Sequence, residues 1–479
     1  MRTLFTRTEE RPKITPMTYA VDTRAVHAGR ADLAELGVHA LPLDFSTTYP
    51  MHDQVAAGAA LGAFADGAAT AATPVYQRLY NPTTARFEQA LAELEGTEAA
   101  VSFASGMAAI TAVLQAACLM SDRRHVVAVR PLYGGTDHLL SIGLLGLTVT
   151  WVDQDEVARA IRPDTGLVVV ETPGNPTLGL VDIATVCIQA GDVPVLVDNT
   201  FATPVLQNPA RLGAAYVVHS GTKYLGGHGD VLGGVVACAE QRAGALRQVR
   251  ILTGAVLHPL AGYLLHRGLA TLPLRVRAAQ ATAATLAVRL AVHRGIGKVH
   301  YPGLPGNDPR GLVGRQMRGP GAMIAFETTG DAAAVVAALR LITPAVSLGS
   351  VDTLIEHPAL LTHRLVDAEG KQTGGITPNL LRMSVGLEDV DDLWADLDQA
   401  LTAATRATLA VAATVASPEQ VPPAPVLPAP VLPSAVPAAP DAASAVPAAF
   451  DDEFAALTGS GAASATSAQA VNGSAPVPA

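Results

Sequence analysis

Cysteine is scarce. Only Cys118, Cys187 and Cys238 occur in 479 residues, far apart and in apolar surroundings. An odd, dispersed set without a CxxC pair excludes a disulfide framework and a thiolate metal site, and fits reduced core residues of a cytosolic protein. Charged residues are also few, 15% of the chain, and no basic block offsets the formal net charge of −10. That balance argues against nucleic acid as a partner. No apolar run reaches the roughly 18 residues that a bilayer requires, and Met1 to Pro16 carries charges but no apolar core, so neither a membrane span nor secretion is expected. The histidines, among them His219, His228, His258, His266, His293, His300, His357 and His363, are scattered without ligand spacing. No metal site is indicated.

What is present is length enough for two or three domains and a large core. Residues 1–80 read as an irregular amino-terminal arm rich in Thr, Gly and Ala. Thr84 to Gly96 has a helical pattern with Phe87, Leu91 and Leu94 on one face and a terminating glycine. Short Val-rich runs then alternate with helical stretches: Ala100 to Phe103, His125 to Val129, Thr148 to Val152, Leu167 to Glu171, Val193 to Asp198 and Tyr216 to His219. This is the pattern of an α/β fold whose mostly parallel sheet is covered on both faces, and it makes 81–255 the large domain. Residues 256–412 follow as a smaller α+β domain: a helical stretch from Leu257 to Arg294 broken at Pro273, strands near Gly321 to Thr328 and Leu380 to Val385, and a last helix from about Val390 to Val411. From about residue 413 the composition collapses into Ala, Pro, Val and Ser, with Ala-Pro-Val-Leu-Pro repeated at 424–428 and 429–433. Such a tail is expected to be disordered. Its island Phe450-Asp451-Asp452-Glu453-Phe454 reads as solvated.

In open parallel sheets ligands sit at the carboxyl ends of strands, and the polar residues of this chain concentrate there. The segment Ser220 to His228 sets Lys223 among hydroxyls and glycines after the apolar run Ala214 to Val218. A lysine at the end of a buried strand loses part of its charge preference and becomes a usable amine for a Schiff base; a solvated lysine on a surface turn is the plain alternative. Ser220 and Thr222 flank it as phosphate donors. Ser105-Gly106-Met107 opens a helix after a strand, as a phosphate turn would, although any strand-to-helix turn needs small residues. Asp198 ends a very apolar strand and would need a cationic partner such as a protonated pyridine, or else serves as a helix cap. Tyr133, on a glycine-flanked loop, can stack on a planar ring and carry a proton. Asn175, in Glu171-Thr172-Pro173-Gly174-Asn175-Pro176, either orients a ligand or simply makes a turn.

Taken together, and in this order, these segments resemble the transsulfuration, or Cys/Met-metabolism, family of pyridoxal 5'-phosphate enzymes over about residues 20 to 410. The resemblance implies a fold-type I, aminotransferase-like architecture. It makes Lys223 the cofactor's lysine, Tyr133 its stacking group and an acid for the leaving group, and Asp198 the ring-nitrogen partner. Ser105, Gly106, Met107, Ser220 and Thr222 become cofactor contacts. Tyr76 and Arg78, in Tyr76-x-Arg78-x-x-Asn81-Pro82-Thr83, match an arm that serves the neighbouring subunit's cofactor. A homodimer is therefore implied, and a dimer of dimers is the family norm. Ser347 and Arg382 match segments that recognise an amino-acid substrate, Arg382 by forking onto its carboxylate. Ala215 departs from the acid usual in relatives.

Within the family the discriminating positions conflict. Val346 replaces a glutamate frequent in cystathionine-handling enzymes, and Gly227-His228-Gly229-Asp230 looks like methionine γ-lyases. Gly135 replaces the cysteine those lyases usually carry. The implied activity is γ-elimination from methionine, cystathionine or homocysteine to a 2-oxo acid, ammonia and a thiol. The alternatives are γ-replacement, as in cystathionine γ-synthase or O-acyl-homoserine sulfhydrylase, and a non-catalytic coenzyme-binding scaffold.

Overall fold

The computed structural model describes residues 19–416. The last helix, Val390–Ala416, runs on past Val411 through the first four residues of the expected tail; the rest of that tail, its Phe450 to Phe454 island and the first residues of the arm lie outside the described residues.

Seven strands form the larger sheet: β1 (Ala99–Phe103), β2 (His125–Val129), β3 (Thr148–Val152), β4 (Thr165–Glu171), β5 (Val195–Asp198), β6 (Tyr216–Ser220) and β7 (Gly234–Cys238). Their spatial order is β1-β7-β6-β5-β4-β2-β3. Strands β2 to β6 pair in parallel, and β7 runs antiparallel to both neighbours, β1 and β6. Side chains of a strand alternate between faces, and here both faces are covered. In β4, Val168 and Val170 pack into one buried cluster while Leu167 and Val169 pack into the other. The Val-rich runs are therefore apolar throughout, not alternating. A five-stranded sheet of β8 (Ile296–His300), β9 (Met323–Thr328), β10 (Thr343–Pro344), β11 (Leu354–Glu356) and β12 (Leu380–Ser384) has the order β10-β11-β12-β9-β8. All its pairings are antiparallel except β10 with β11.

The arm is more regular than its composition indicates. It contains helices α1 (Val21–His27) and α2 (Gln54–Ala65), the latter capped by Asp53, whose carboxylate accepts from the amides of Val55 and Ala56. Its Ala/Gly-rich sequence has almost no apolar periodicity, so only the cap signals a helix. Helix α3 (Pro82–Glu95) starts on Asn81, which accepts from the amides of Thr83 and Thr84, and ends on Gly96 at φ +76°. Pro273 does not break the helical stretch after residue 257. The break falls between Leu269 and Leu272, and Pro273 occupies the first turn of the following helix Leu272–Ala291, where its missing N–H costs nothing. Strands β7, β8, β10 and β11 have no counterpart in the sequence reading. β10 and β11 are only two and three residues long, too short for periodicity to register.

Phe103 ends β1 fully buried, directly ahead of the turn at Ser105. Phe103→Ala should cost about 3–5 kcal/mol, read as a lowered urea midpoint at unchanged slope. An unchanged midpoint would show that this end of the sheet is not held by its packing.

Candidate active site

The carboxyl ends of β4, β5 and β6 lie side by side, with Glu171 opposite Asp198 and Asp198 opposite Val218 in the ladder. Because β7 returns antiparallel between β6 and β1, it brings the turn after β1 against the end of β6. Contact there is so close that a Cβ on Gly234 would sit 2.1 Å from the Ser105 carbonyl, and one on Gly106 would sit 3.1 Å from Ser220 Cβ. Glycine is required at 234, and at 106 a side chain would have to push Ser220 aside. Ser105 caps helix α4 (Gly106–Leu114) by accepting from the Ala108 amide, which leaves its hydroxyl proton free to donate. The result is a cradle of helix amides and the Ser105 and Ser220 hydroxyls.

Lys223 lies just beyond β6. Its ammonium donates to Ser347 Oγ at 2.6 Å, and burial, reinforced by the Arg382 guanidinium and opposed by Glu356, lowers its pKa to about 8. Ser347 is an L residue held at φ +101°, a conformation that surrounding structure must impose. Asp198 Oδ1 accepts from the Thr200 amide at 3.0 Å and hydroxyl at 2.5 Å. Burial raises its pKa, while the Thr200 hydrogen bonds and the nearby His219 hold the rise in check. Glu171 is pushed further, well above the ordinary range, by burial and then by Asp198. Both neighbouring acids are thus pushed toward their neutral forms by burial, and only Asp198 has hydroxyl and amide donors from Thr200 that favour its anion.

Arg382 is 2% exposed. Its Nη1 donates to Asn175 Oδ1 at 2.7 Å; its Nη2 donates to Glu356 Oε1 at 2.6 Å and to the Ser347 carbonyl at 3.2 Å. Asn175 is fixed in turn through its carbonyl, which lies 3.2 Å from His363 Nε2. Burial, and then Arg382, bring the His363 pKa down to about 4, so it stays neutral as a donor. The Tyr133 amide donates to Glu171 Oε2 at 2.5 Å. Burial first and Glu356 second raise the Tyr133 phenol above its ordinary pKa, so at neutral pH it holds its proton.

Of the residues singled out in the sequence, Ser105, Gly106 and Ser220 meet in the cradle; Lys223, Ser347, Arg382 and Asn175 form one hydrogen-bonded chain; and Tyr133 joins Asp198 through Glu171. Met107 stands behind Tyr133, its Sδ and the tyrosine ring both within 3.2 Å of where a Cβ on Gly135 would be. The Thr222 hydroxyl donates to the Gly233 carbonyl at 3.2 Å and accepts from the Gly233 amide at 3.1 Å. Tyr76 and Arg78 are not brought to Lys223. Arg78 donates to the Ile251 carbonyl at 2.8 Å and lies 5.7 Å from the centre of the Tyr76 ring. Sequence reasoning missed Glu171, Glu356, His363 and Thr200. Glu171 carries the same signal that exposed Asp198, an acid ending an apolar strand; Glu356 and His363 become visible only when the second sheet folds over the first.

This donor set fits pyridoxal 5'-phosphate: a partly neutral buried amine for an aldehyde, a carboxylate for a ring nitrogen, and amides with hydroxyls for a phosphate. Among the described residues no group of three or more His, Cys, Asp or Glu is arranged to hold a metal ion, and no helix is long and apolar enough to cross a membrane.

Comparison with known proteins agrees. A family model described as Cys/Met metabolism PLP-dependent enzyme matches residues 22–402. The chain is 62% identical over 387 residues to a Streptomyces avermitilis protein named L-methionine γ-lyase, covering 81% of this chain and 90% of that one. It is 58% identical over 391 residues to a Brevibacterium sandarakinum protein of the same name, covering 81% and 98%. Cystathionine γ-lyase from Lactobacillus plantarum, solved with L-serine, superimposes with a TM-score of 0.74 at 35% identity, covering 81% of this chain and all of that one, 100%.

In enzyme stripped of cofactor, labelling of Lys223 by an amine-selective reagent should rise with pH through a midpoint of about 8, since the neutral amine reacts and burial disfavours the charged one. A midpoint near that of a free lysine would show that the amine is not desolvated.

Proposed function

The chain belongs to the Cys/Met metabolism family of PLP-dependent enzymes, and from that premise we propose that it is a carbon–sulfur lyase that eliminates the γ-thiol of L-methionine, giving, with uptake of one water, 2-oxobutanoate, ammonia and methanethiol. The observation that carries this reading is the 62% identity over 81% of the chain to a protein named L-methionine γ-lyase. The site supports it. Val346, half exposed, stands directly before Ser347, an apolar neighbour suited to a thioether and not to the charged distal half of cystathionine.

Pyridoxal phosphate, when bound, supplies an electron sink for negative charge developing on the substrate. Asp198 is placed to hold a proton on the ring nitrogen, and the cradle of Ser105, Gly106 and Ser220 to hold the phosphate. Lys223, with its pKa near neutrality, takes the Cα proton and returns it. Arg382 receives the substrate carboxylate, oriented by Asn175 and Ser347. Tyr133, protonated because burial disfavours its phenolate, gives its proton to the departing sulfur. Tyr76 and Arg78, remote from Lys223 within their own subunit, serve a neighbour's phosphate across a dimer interface. The arm's exposed Phe45, Val55 and Leu61 support that interface, and a dimer of dimers in the cytoplasm is the arrangement we infer.

Ammonia and 2-oxobutanoate should appear faster from methionine than from cystathionine, and sulfide should not be incorporated into O-acyl-homoserine. Incorporation outpacing elimination would make the protein a γ-replacement enzyme. Arg382→Lys should raise KM for methionine about tenfold or more, since a point charge cannot reproduce the guanidinium fork; unchanged KM would remove Arg382 from the substrate site.

A further inference from the structure

Glu356 lies directly opposite Arg382 in the antiparallel β11–β12 ladder. Directly paired residues share a face of the sheet, so the register holds the carboxylate beside the guanidinium. Glu356 and Arg382 are each 2% exposed. Their contact uses Glu356 Oε1, which also accepts from the Thr362 hydroxyl at 2.8 Å. Two polar atoms of the pair remain buried with no hydrogen-bond partner: Glu356 Oε2, an acceptor, and Arg382 Nε, a donor. Leaving such atoms unpaired is costly, and a free acceptor and free donor on one ion pair complement a ligand carrying a donor cation and an acceptor anion close together.

We propose that Glu356 is a specificity residue that selects zwitterions over plain anions: its free oxygen takes the α-ammonium of an arriving amino acid while Arg382 takes the carboxylate. The inference rests on the reading of Arg382 as the carboxylate clamp. A 2-oxo acid presents the same carboxylate without the ammonium and meets Glu356 as an uncompensated like charge. The residue therefore tolerates the zwitterionic substrate and favours departure of the anionic product from one guanidinium. The Glu356 charge is felt through this region, opposing the lowering of the Lys223 pKa and raising that of Tyr133.

The test is calorimetric binding of 2-oxobutanoate to the holoenzyme, alongside KM for methionine, in wild type, Glu356→Gln, Glu356→Ala and Arg382→Lys. Removing the fixed negative charge in Glu356→Gln should tighten 2-oxobutanoate by about tenfold. KM for methionine should change by less than about threefold, because repulsion of its carboxylate and attraction of its ammonium vanish together. Glu356→Ala should give the same split if the amide side chain fails to fold. If 2-oxobutanoate binding is unchanged or weaker in whichever variant folds, or if both ligands shift by the same factor, Glu356 only braces Arg382 and the proposal is overturned. Arg382→Lys separates the two levels. Weakening of both ligands there keeps the clamp whatever Glu356 does, whereas no effect on either removes the clamp and the selectivity argument with it.

Discussion

The hydrogen bond from Lys223 to Ser347 is the joint on which the site depends. Lys223 comes from the segment after β6 of the seven-stranded sheet, and Ser347 from the loop between β10 and β11 of the five-stranded one. The same Ser347 gives its carbonyl to Arg382, so one residue in a strained conformation sets the amine and the guanidinium relative to each other. Opening this joint would rehydrate Lys223, and with water its ordinary preference for the charged form would return. Packing of the second sheet over the first is therefore what makes the lysine usable.

Charge balance follows from that enclosure. Lys223 and Arg382 are held near Asp198, Glu171 and Glu356 in one largely buried region, and isolated charges there would be prohibitive. The molecule resolves this in three ways. Burial and Asp198 push Glu171 toward its neutral form, Lys223 moves toward neutrality, and Arg382 retains its charge against a carboxylate fixed on the adjoining strand. Asp198, its own rise held in check by Thr200 and His219, is the carboxylate we assign to a protonated ring nitrogen. Each shift has a structural cause, and each leaves a group in the protonation state that the proposed chemistry requires.

The large sheet was legible because its strands are long enough, and buried enough on both faces, to appear as Val-rich runs, and the polar residues that end them announced Lys223 and Asp198. Legibility failed where local signals were weak. Helix α2 has no apolar face, β10 and β11 are too short for a period, and β7 is an antiparallel return that the alternating strand–helix pattern does not forecast. In the site, Glu356 escaped notice because its meaning lies entirely in its register with Arg382 on a neighbouring strand. His363 likewise acquires a role only by touching Asn175, 188 positions away in the chain.

A desolvated Lys223 is the residue we propose to hold the cofactor covalently. This assignment is tested most directly by reducing the holoenzyme with borohydride and locating the fixed label by mass spectrometry of proteolytic peptides. One phosphopyridoxyl group per chain, on the Lys223 side chain, is the expected result. A label on another lysine, or full retention of activity after reduction with no label at Lys223, would contradict it.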